Sequence, residues 1–395
     1  MRIAICGAGA AGLTLAARLA QDGARPVLFE ARDEATLAQE GIFLTLAPNG
    51  MNGLKAIGAC AAVEQAGVRI MGVEIRNGRG TRLGFADQSD LEQVFGAPSV
   101  TLRRGELARI LLERARASGA DVRLGVRVAA VQARADGVCL TLNDGRLFTA
   151  DLLVAADGLR SSVRAAVFPE YPLPQYTGMI GAGGITEAEV PHTGGILRMC
   201  FGDNAFFGYV KPSAGPVYWF NSYGAPAAQA GPVLDAAAYA RRLQALHAHD
   251  PAPNAEIMAQ VQRMERNYPI YDMPRLPAWH RGRVMLIGDA AHAVGPHAGQ
   301  GASMAIEDAL VLAACLHAGE DFGTAFAGFE RLRRARVAQV HRLTARNARR
   351  KRSMGRVGLF IRDLLLPLLI SLGIRRQRRL YAFRPDLAPL QPPPP

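Results

Sequence analysis

The sequence predicts an α/β protein in which a parallel sheet is interrupted by an inserted antiparallel sheet and followed by C-terminal helices. Three features predict it. Short apolar runs that stop at glycine or an acid occur at residues 3–5, 152–156 and 284–287, as expected of strands buried on both faces. Residues 169–281 alternate apolar and polar positions between Pro172, Pro174, Gly181, Gly183 and Gly184, the texture of an antiparallel sheet. From Phe322 onward the apolar positions Phe326, Phe329, Leu332, Ala335 and Val337 fall in helical register, with many arginines off the stripe.

The first run carries the most specific pattern. Residues 3–5 are followed by Gly7, Gly9 and Gly12 in GxGxxG spacing, a helix over 13–21 that ends near Gly23, and a second strand over 27–29 that stops at Glu30. Gly7 permits the tight turn, Gly9 lets a pyrophosphate approach the backbone, and Gly12 allows close helix packing. Ala11 lies within the same turn, and Glu30 stands where an adenosine ribose can donate to it. The context is that of a Rossmann-like dinucleotide site. An acid at that place disfavours a 2′-phosphate, so the tightly bound dinucleotide is expected to be FAD or NAD rather than NADP. The same glycine spacing argues against reading the N-terminus as a signal peptide.

Beyond it, a strand near 41–47 breaks at Pro48, a helix follows over 51–57, and a strand and turn occupy 73–80. Residues 87–98 show no period and read as loop. Val100 leads through Arg103 and Arg104 into a helix reaching Ala117. Residues 122–131, 138–142 and 146–149 form a meander around an Asn-Asp-Gly turn. The strand over 152–156 ends in Asp157 and Gly158, and Ser161 or Ser162 can cap the next helix. Asp157 and Arg160 suit contact with a dinucleotide's pyrophosphate or ribose.

In the third run, residues 284–287 stop at Gly288 and Asp289. Gly295 and Pro296 turn the chain into Gly299, Gln300 and Gly301, where a long helix opens. Its free N–H groups and positive dipole end suit a flat, electron-rich group. Of the two nearby histidines, His292 reads as a packed structural residue, whereas His297 is placed to hydrogen-bond a substrate hydroxyl and take its proton.

At 395 residues the chain suggests two domains and an appendage. The divisions expected are a discontinuous cofactor domain over 1–75, 100–168 and 282–321; a sheet domain over 76–99 and 169–281; basic helices over 322–385; and a disordered Pro-rich tail over 386–395. The net charge of +12 resides in the tail: residues 331–384 hold 17 Arg and Lys against one acid, Asp363, leaving the remainder at −4. The main body therefore offers no general nucleic-acid surface. Five cysteines without a CxxC pair suggest reduced thiols in a cytoplasmic protein, and no metal site is expected. The apolar run over 358–372 is interrupted by Arg362 and Asp363. It is expected to bridge the two domains, the alternative being peripheral contact with an anionic membrane.

The stretches GAGAAG with Glu30, ADLLVAADGLRSSVR (150–164) and RVMLIGDAAHAVGPHAGQGASMAIEDA (283–309) together resemble the single-component FAD-dependent aromatic monooxygenases of para-hydroxybenzoate hydroxylase-like fold. The resemblance covers residues 1 to about 316, and the terminal helix resembles that of the tetracycline-inactivating branch. It implies that Asp289 meets the ribityl chain of FAD, and that Gly299, Gln300, Gly301 and Ala302 lie under the flavin pyrimidine. Arg104 is implied beside the ribityl-phosphate, Val128 beside the adenine, and Pro296 and His297 near the reactive edge. One face of the inserted sheet is implied to cover the flavin, with Arg198, Phe207, Tyr209, Trp219 and Asn221 as candidates to line the substrate pocket. One departure stands out: Gln39 and Glu40 precede Gly41, where the family often has arginine. The activity implied is hydroxylation of an aromatic or polycyclic molecule by O2 through a flavin C4a-hydroperoxide, with transient NADPH or NADH as reductant, in a monomer or weak dimer. Alternatives are a flavin reductase or halogenase-type enzyme, although a tryptophan-halogenase WxWxIP segment is absent, and a flavoprotein that sequesters an apolar ligand.

Overall fold

In the computed structural model, which describes residues 1–39, 41–318, 321–350 and 356–384, the three apolar runs lie side by side. Arg2–Cys6 pairs in parallel with Arg25–Glu30 and with Leu152–Ala155, and Val284–Leu286 pairs in parallel with Leu152–Ala155. Asp121–Leu124 and the antiparallel His280–Arg281 form the edges of this six-stranded sheet. The central strands are buried along their length, which is why they lack the alternation of a half-exposed strand. Their C-terminal ends are laced together: Gly7 N donates to Phe29 O at 2.8 Å, Ala156 N to Cys6 O at 2.8 Å, and Ile287 N to Ala155 O at 3.0 Å. Three sequence motifs separated by more than a hundred residues therefore meet on one sheet edge.

The helix Ala10–Gln21 packs on Gly301–Ala318 and on Arg104–Ala117. By length and composition Gly301–Ala318 is apolar enough to cross a membrane; here it is a core helix, packed also on Pro48–Ala56 and Phe322–Arg350. Pro48 both ends the strand Phe43–Leu46 and occupies the first turn of the helix Pro48–Ala56, where its missing N–H costs nothing.

The second sheet has seven strands, ordered Tyr268–Asp272, Gln175–Thr186, Val217–Gly224, Phe206–Val210, Ile196–Phe201, Gly72–Asn77 and Arg82–Asp87. All pairings are antiparallel except that of Ile196–Phe201 with Gly72–Asn77. The helices Ala236–His247, capped by Asp235, and Asn254–Ala259 pack on each other beside a core that includes Phe207, Trp219 and Tyr223.

Three local expectations are corrected. Residues 122–131 are not one strand: Asp121–Leu124 joins the parallel sheet, Gly125 turns at φ +72°, and Val128–Ala133 begins the three-stranded meander. Residues 87–98 contain a one-turn helix, Leu91–Phe95, closed by Gly96 in the left-handed conformation; five residues are too few to show a period. The pattern over 255–266 predicts a single helix, but the observed helix Asn254–Ala259 stops early, because the chain turns back and Met264 N bonds Ala236 O.

Phe322–Arg350 packs along Gly301–Ala318. Arg356–Tyr381 reaches from the inserted sheet to the main core. Ile370 packs with Leu83, Phe201 and Phe206 of the inserted sheet, whereas Leu380 and Tyr381 enter the main core. Arg378 adds a two-pronged pair with Asp90 at 2.9 and 2.7 Å. The Pro-rich segment over 386–395 lies outside the described residues.

Candidate active site

The glycines of the first motif divide into two kinds. Gly7 sits at φ +105°, and a Cβ there would fall 2.4 Å from Ala156 O; a Cβ on Gly12 would fall 1.9 Å from Gly7 O. These two are required by the fold itself. Gly9 has no atom of the described residues within 4 Å of the Cβ position and N-caps Ala10–Gln21 without a side-chain hydrogen bond. Beside it, Glu30 accepts from Ala8 N at 2.7 Å and from Arg32 N and Nε at 2.9 and 2.8 Å. Burial pushes its carboxyl up, but these donors outweigh burial and hold it below the usual range. Ala11 is buried, its methyl group facing Gly288. Val128 is buried at the start of the meander, and the charge of adjacent Arg127 is felt at Cys6.

Asp157, at the end of Leu152–Ala155, accepts from Val163 N and Ser162 Oγ through Oδ2, while its buried Oδ1 has no hydrogen-bond partner among the described residues. Burial raises its carboxyl, opposed by those bonds. Ser161, rather than Ser162, caps the helix Ser162–Val167 through Arg164 N at 2.9 Å.

Asp289 opens to solvent along a groove deep in the fold, and desolvation there raises its carboxyl, with the nearby Arg104 opposing. Arg104 lays its stem over Gly41, which sits at φ +71°; a Cβ on Gly41 would fall 2.6 Å from Arg104 Cδ. Gly299 (φ +61°) and Gly301 again have no atom of the described residues within 4 Å of the Cβ position, and Gly301–Ala318 begins there. Pro296 and Gly299 are exposed, Ala302 is half-buried, and His297 is buried rather than facing solvent, its carbonyl accepting from Asn347 Nδ2 at 3.0 Å.

Under this surface lies a buried ionic network that sequence reading missed. Arg333, one of the arginines off the apolar stripe, is 0% exposed and reaches Asp308 at 2.7 Å and Glu307 at 2.6 Å. Arg336 binds Glu307 at 2.7 Å and donates to Leu380 O. Asp308 also accepts from His292 at 2.6 Å and Gly288 N at 2.8 Å. Asn49 donates to Glu307 and to Gln300. The available signal was Glu307-Asp308 inside an otherwise apolar helix, since buried acids require buried partners.

The substrate-lining candidates need correction. Arg198, Phe207, Tyr209, Trp219 and Asn221 share one face of the inserted sheet, in register with one another. That face packs under the helices: Phe207 meets His247 edge-on at 4.9 Å, Asn221 Nδ2 lies 3.1 Å from His247 Nε2, and Arg198 meets Tyr209 OH at 3.2 Å. The face turned toward the groove carries Met199, Gly208, Tyr218, Phe220 and Ser222. Phe43 meets Tyr218 at 5.6 Å and Phe220 at 5.8 Å, and Ile42 fills the space above Gly183. Alternation identified the strands; it does not say which face looks inward.

The groove thus joins two helix N-termini, three glycines with open Cβ directions, and acids at two strand ends. These residues fit FAD: Gly9 leaves room for a pyrophosphate, Asp157 Oδ1 lacks a partner among the described residues, and Asp289 is open beside Arg104. The class so defined is a dinucleotide-binding flavoprotein with a second, inserted sheet. The FAD binding domain family model matches residues 1–343, and the chain belongs to that family. It is 33% identical over 335 residues to aurachin C monooxygenase/isomerase of Stigmatella aurantiaca, covering 84% of this chain and 85% of that protein. It is 32% identical to 3-amino-4-hydroxybenzoate 2-monooxygenase of Streptomyces cremeus, over 88% and 87%. Klebsiella pneumoniae HpxO, solved with FAD and uric acid, superposes with a TM-score of 0.81 at 26% identity, over 98% and 96% of the two chains. The protein is an FAD-dependent monooxygenase.

Proposed function

We propose that this enzyme inserts one atom of O2 into a planar aromatic or polycyclic small molecule, using NADH or NADPH as transient reductant. The observation that carries this reading is the placement of the apolar sheet face with Tyr218 and Phe220, through Phe43, over the domain that holds Asp289, Arg104 and the opening of Gly301–Ala318. FAD, when bound, supplies the activation of O2. The chain's own residues do the rest. Gly9 and the first turn of Ala10–Gln21 receive the pyrophosphate, and Glu30 and Val128 border the adenosine half. Asp157, Asp289 and Arg104 flank the sugar-phosphate, while Gly299, Gln300, Gly301 and Ala302 meet the flavin ring with backbone donors. The sheet face and the bridging helix exclude water and orient the ring. His297, beside Pro296, takes a proton from a substrate hydroxyl. Exposed Leu364 and Leu365, on a helix ending in exposed Arg375, Arg376 and Arg379, support a peripheral contact with anionic lipid, which sedimentation with acidic vesicles tests. The function itself is tested by nicotinamide oxidation across phenols, quinolones and polycyclic antibiotics, with products read by mass spectrometry. A compound that accelerates oxidation and gains one oxygen supports the reading; acceleration by none argues against it.

A further inference from the structure

Which ring the enzyme takes is written on the inward face of the inserted sheet. Along its strands this face carries Leu197, Met199, Val210, Tyr218 and Phe220, with no Lys or Arg among the described strand residues. The arginines that would meet a carboxylate, Arg76 and Arg198, sit on the opposite face with Glu74. The acid at the inward end of the edge strand, Asp272, is engaged by Gly295 N at 2.7 Å. Several glycines interrupt the face. Gly84 is covered by Ile370, Gly208 by Phe220 and Gly183 by Ile42, but among the described residues a Cβ on Gly181 would meet only main-chain oxygens, at 3.5 and 3.7 Å. Gly181 pairs with Ser222, which is 5% exposed and whose Oγ has no hydrogen-bond partner among the described residues.

The geometry points to Ser222 as the residue that anchors the substrate, and to a substrate that is a neutral, apolar fused ring bearing a hydroxyl or carbonyl, not an aromatic acid. This rests on the monooxygenase reading and narrows it. A buried hydroxyl without a partner gains a hydrogen bond from such a ring. A carboxylate here would be desolvated without a cation to meet it, unlike the benzoate that names the Streptomyces relative. Bare Gly181 beside Ser222 leaves a flat bay into which a ring edge can slide.

The test is binding to the FAD-loaded protein, read by perturbation of the flavin absorbance, with naphthol, naphthalene and hydroxynaphthoate as probes at neutral pH. Naphthol is expected to bind at least about tenfold more tightly than hydroxynaphthoate. Ser222→Ala should weaken naphthol about fivefold and leave naphthalene unchanged, which a merely structural change would not do. Gly181→Val, which the strand backbone accepts, should weaken both neutral rings. Met199→Arg, which places a guanidinium on the inward face, should favour hydroxynaphthoate. Equal or tighter binding of the acid by the unaltered protein, equal losses for naphthol and naphthalene in Ser222→Ala, or no spectral change with any ring would overturn the proposal. These titrations need no turnover, so their failure is read separately from a failure to reduce flavin or to transfer oxygen.

Discussion

Arg333 and Asp308 meet at 2.7 Å with both side chains fully buried, on two different helices, and the same carboxylate holds Gly288 N and His292 at the turn that carries Asp289. The helix Phe322–Arg350 is therefore tied to the floor of the groove.

Removing the cation should be costly. Arg333→Met leaves Glu307 with Arg336 and Asn49, and Asp308 with His292 and Gly288 N, and the expected loss is about 3–5 kcal/mol in chemical unfolding. Retention of FAD through gel filtration should fall in parallel. A loss within experimental error would show that the network is dispensable.

Acid should act at the same place. Burial pushes the Asp308 carboxyl up, but His292 and Arg333 outweigh it and hold it at about 2, against an ordinary value of 3.8. A depressed carboxyl contributes stability that is complete above the unfolded value and is lost as pH falls toward the folded one. This group should therefore cost about 2 kcal/mol between pH about 4 and about 2. Asp308→Asn should flatten that limb of the stability profile.

Asp289 has the opposite sign. Desolvation raises its carboxyl in the fold, so its contribution is present in acid and is lost as pH rises through the raised value. Asp289→Asn should raise the neutral-pH melting temperature of flavin-free protein while weakening FAD binding. A lower melting temperature would contradict this.

The two kinds of glycine should separate in mutagenesis. Gly9→Val meets open space in the chain, so the apoprotein should melt within about 2 °C of the parent while FAD affinity falls at least about tenfold. Gly12→Ala drives a methyl group into Gly7 O and should destabilise the apoprotein itself. Phe207→Ala, on the helix-covered face, should cost about 3–5 kcal/mol of stability with substrate KM unchanged in the surviving fold.

Much of the fold was legible in the sequence because its signals are local. Gly7 and Gly12 are demanded by contacts within one βα turn, Pro48 marks a strand-to-helix switch, and runs such as 152–156 declare strands buried on both faces. Relationships across the chain were less legible. Whether Phe207 or Phe206 faces the groove depends on how the sheet docks, not on its alternation. The burial of Arg333 was not legible because its partner Asp308 lies 25 residues earlier on another helix. Leu91–Phe95 is too short for any period to register.

The most direct test of the central claim is anaerobic reduction of the FAD-loaded protein by NADH and by NADPH, with and without a neutral fused-ring phenol, followed by admission of isotopically heavy O2. The account predicts that the ring accelerates flavin reduction and that the product carries one heavy oxygen atom. Flavin that neither nicotinamide reduces, or a product whose new oxygen comes from water, would contradict it.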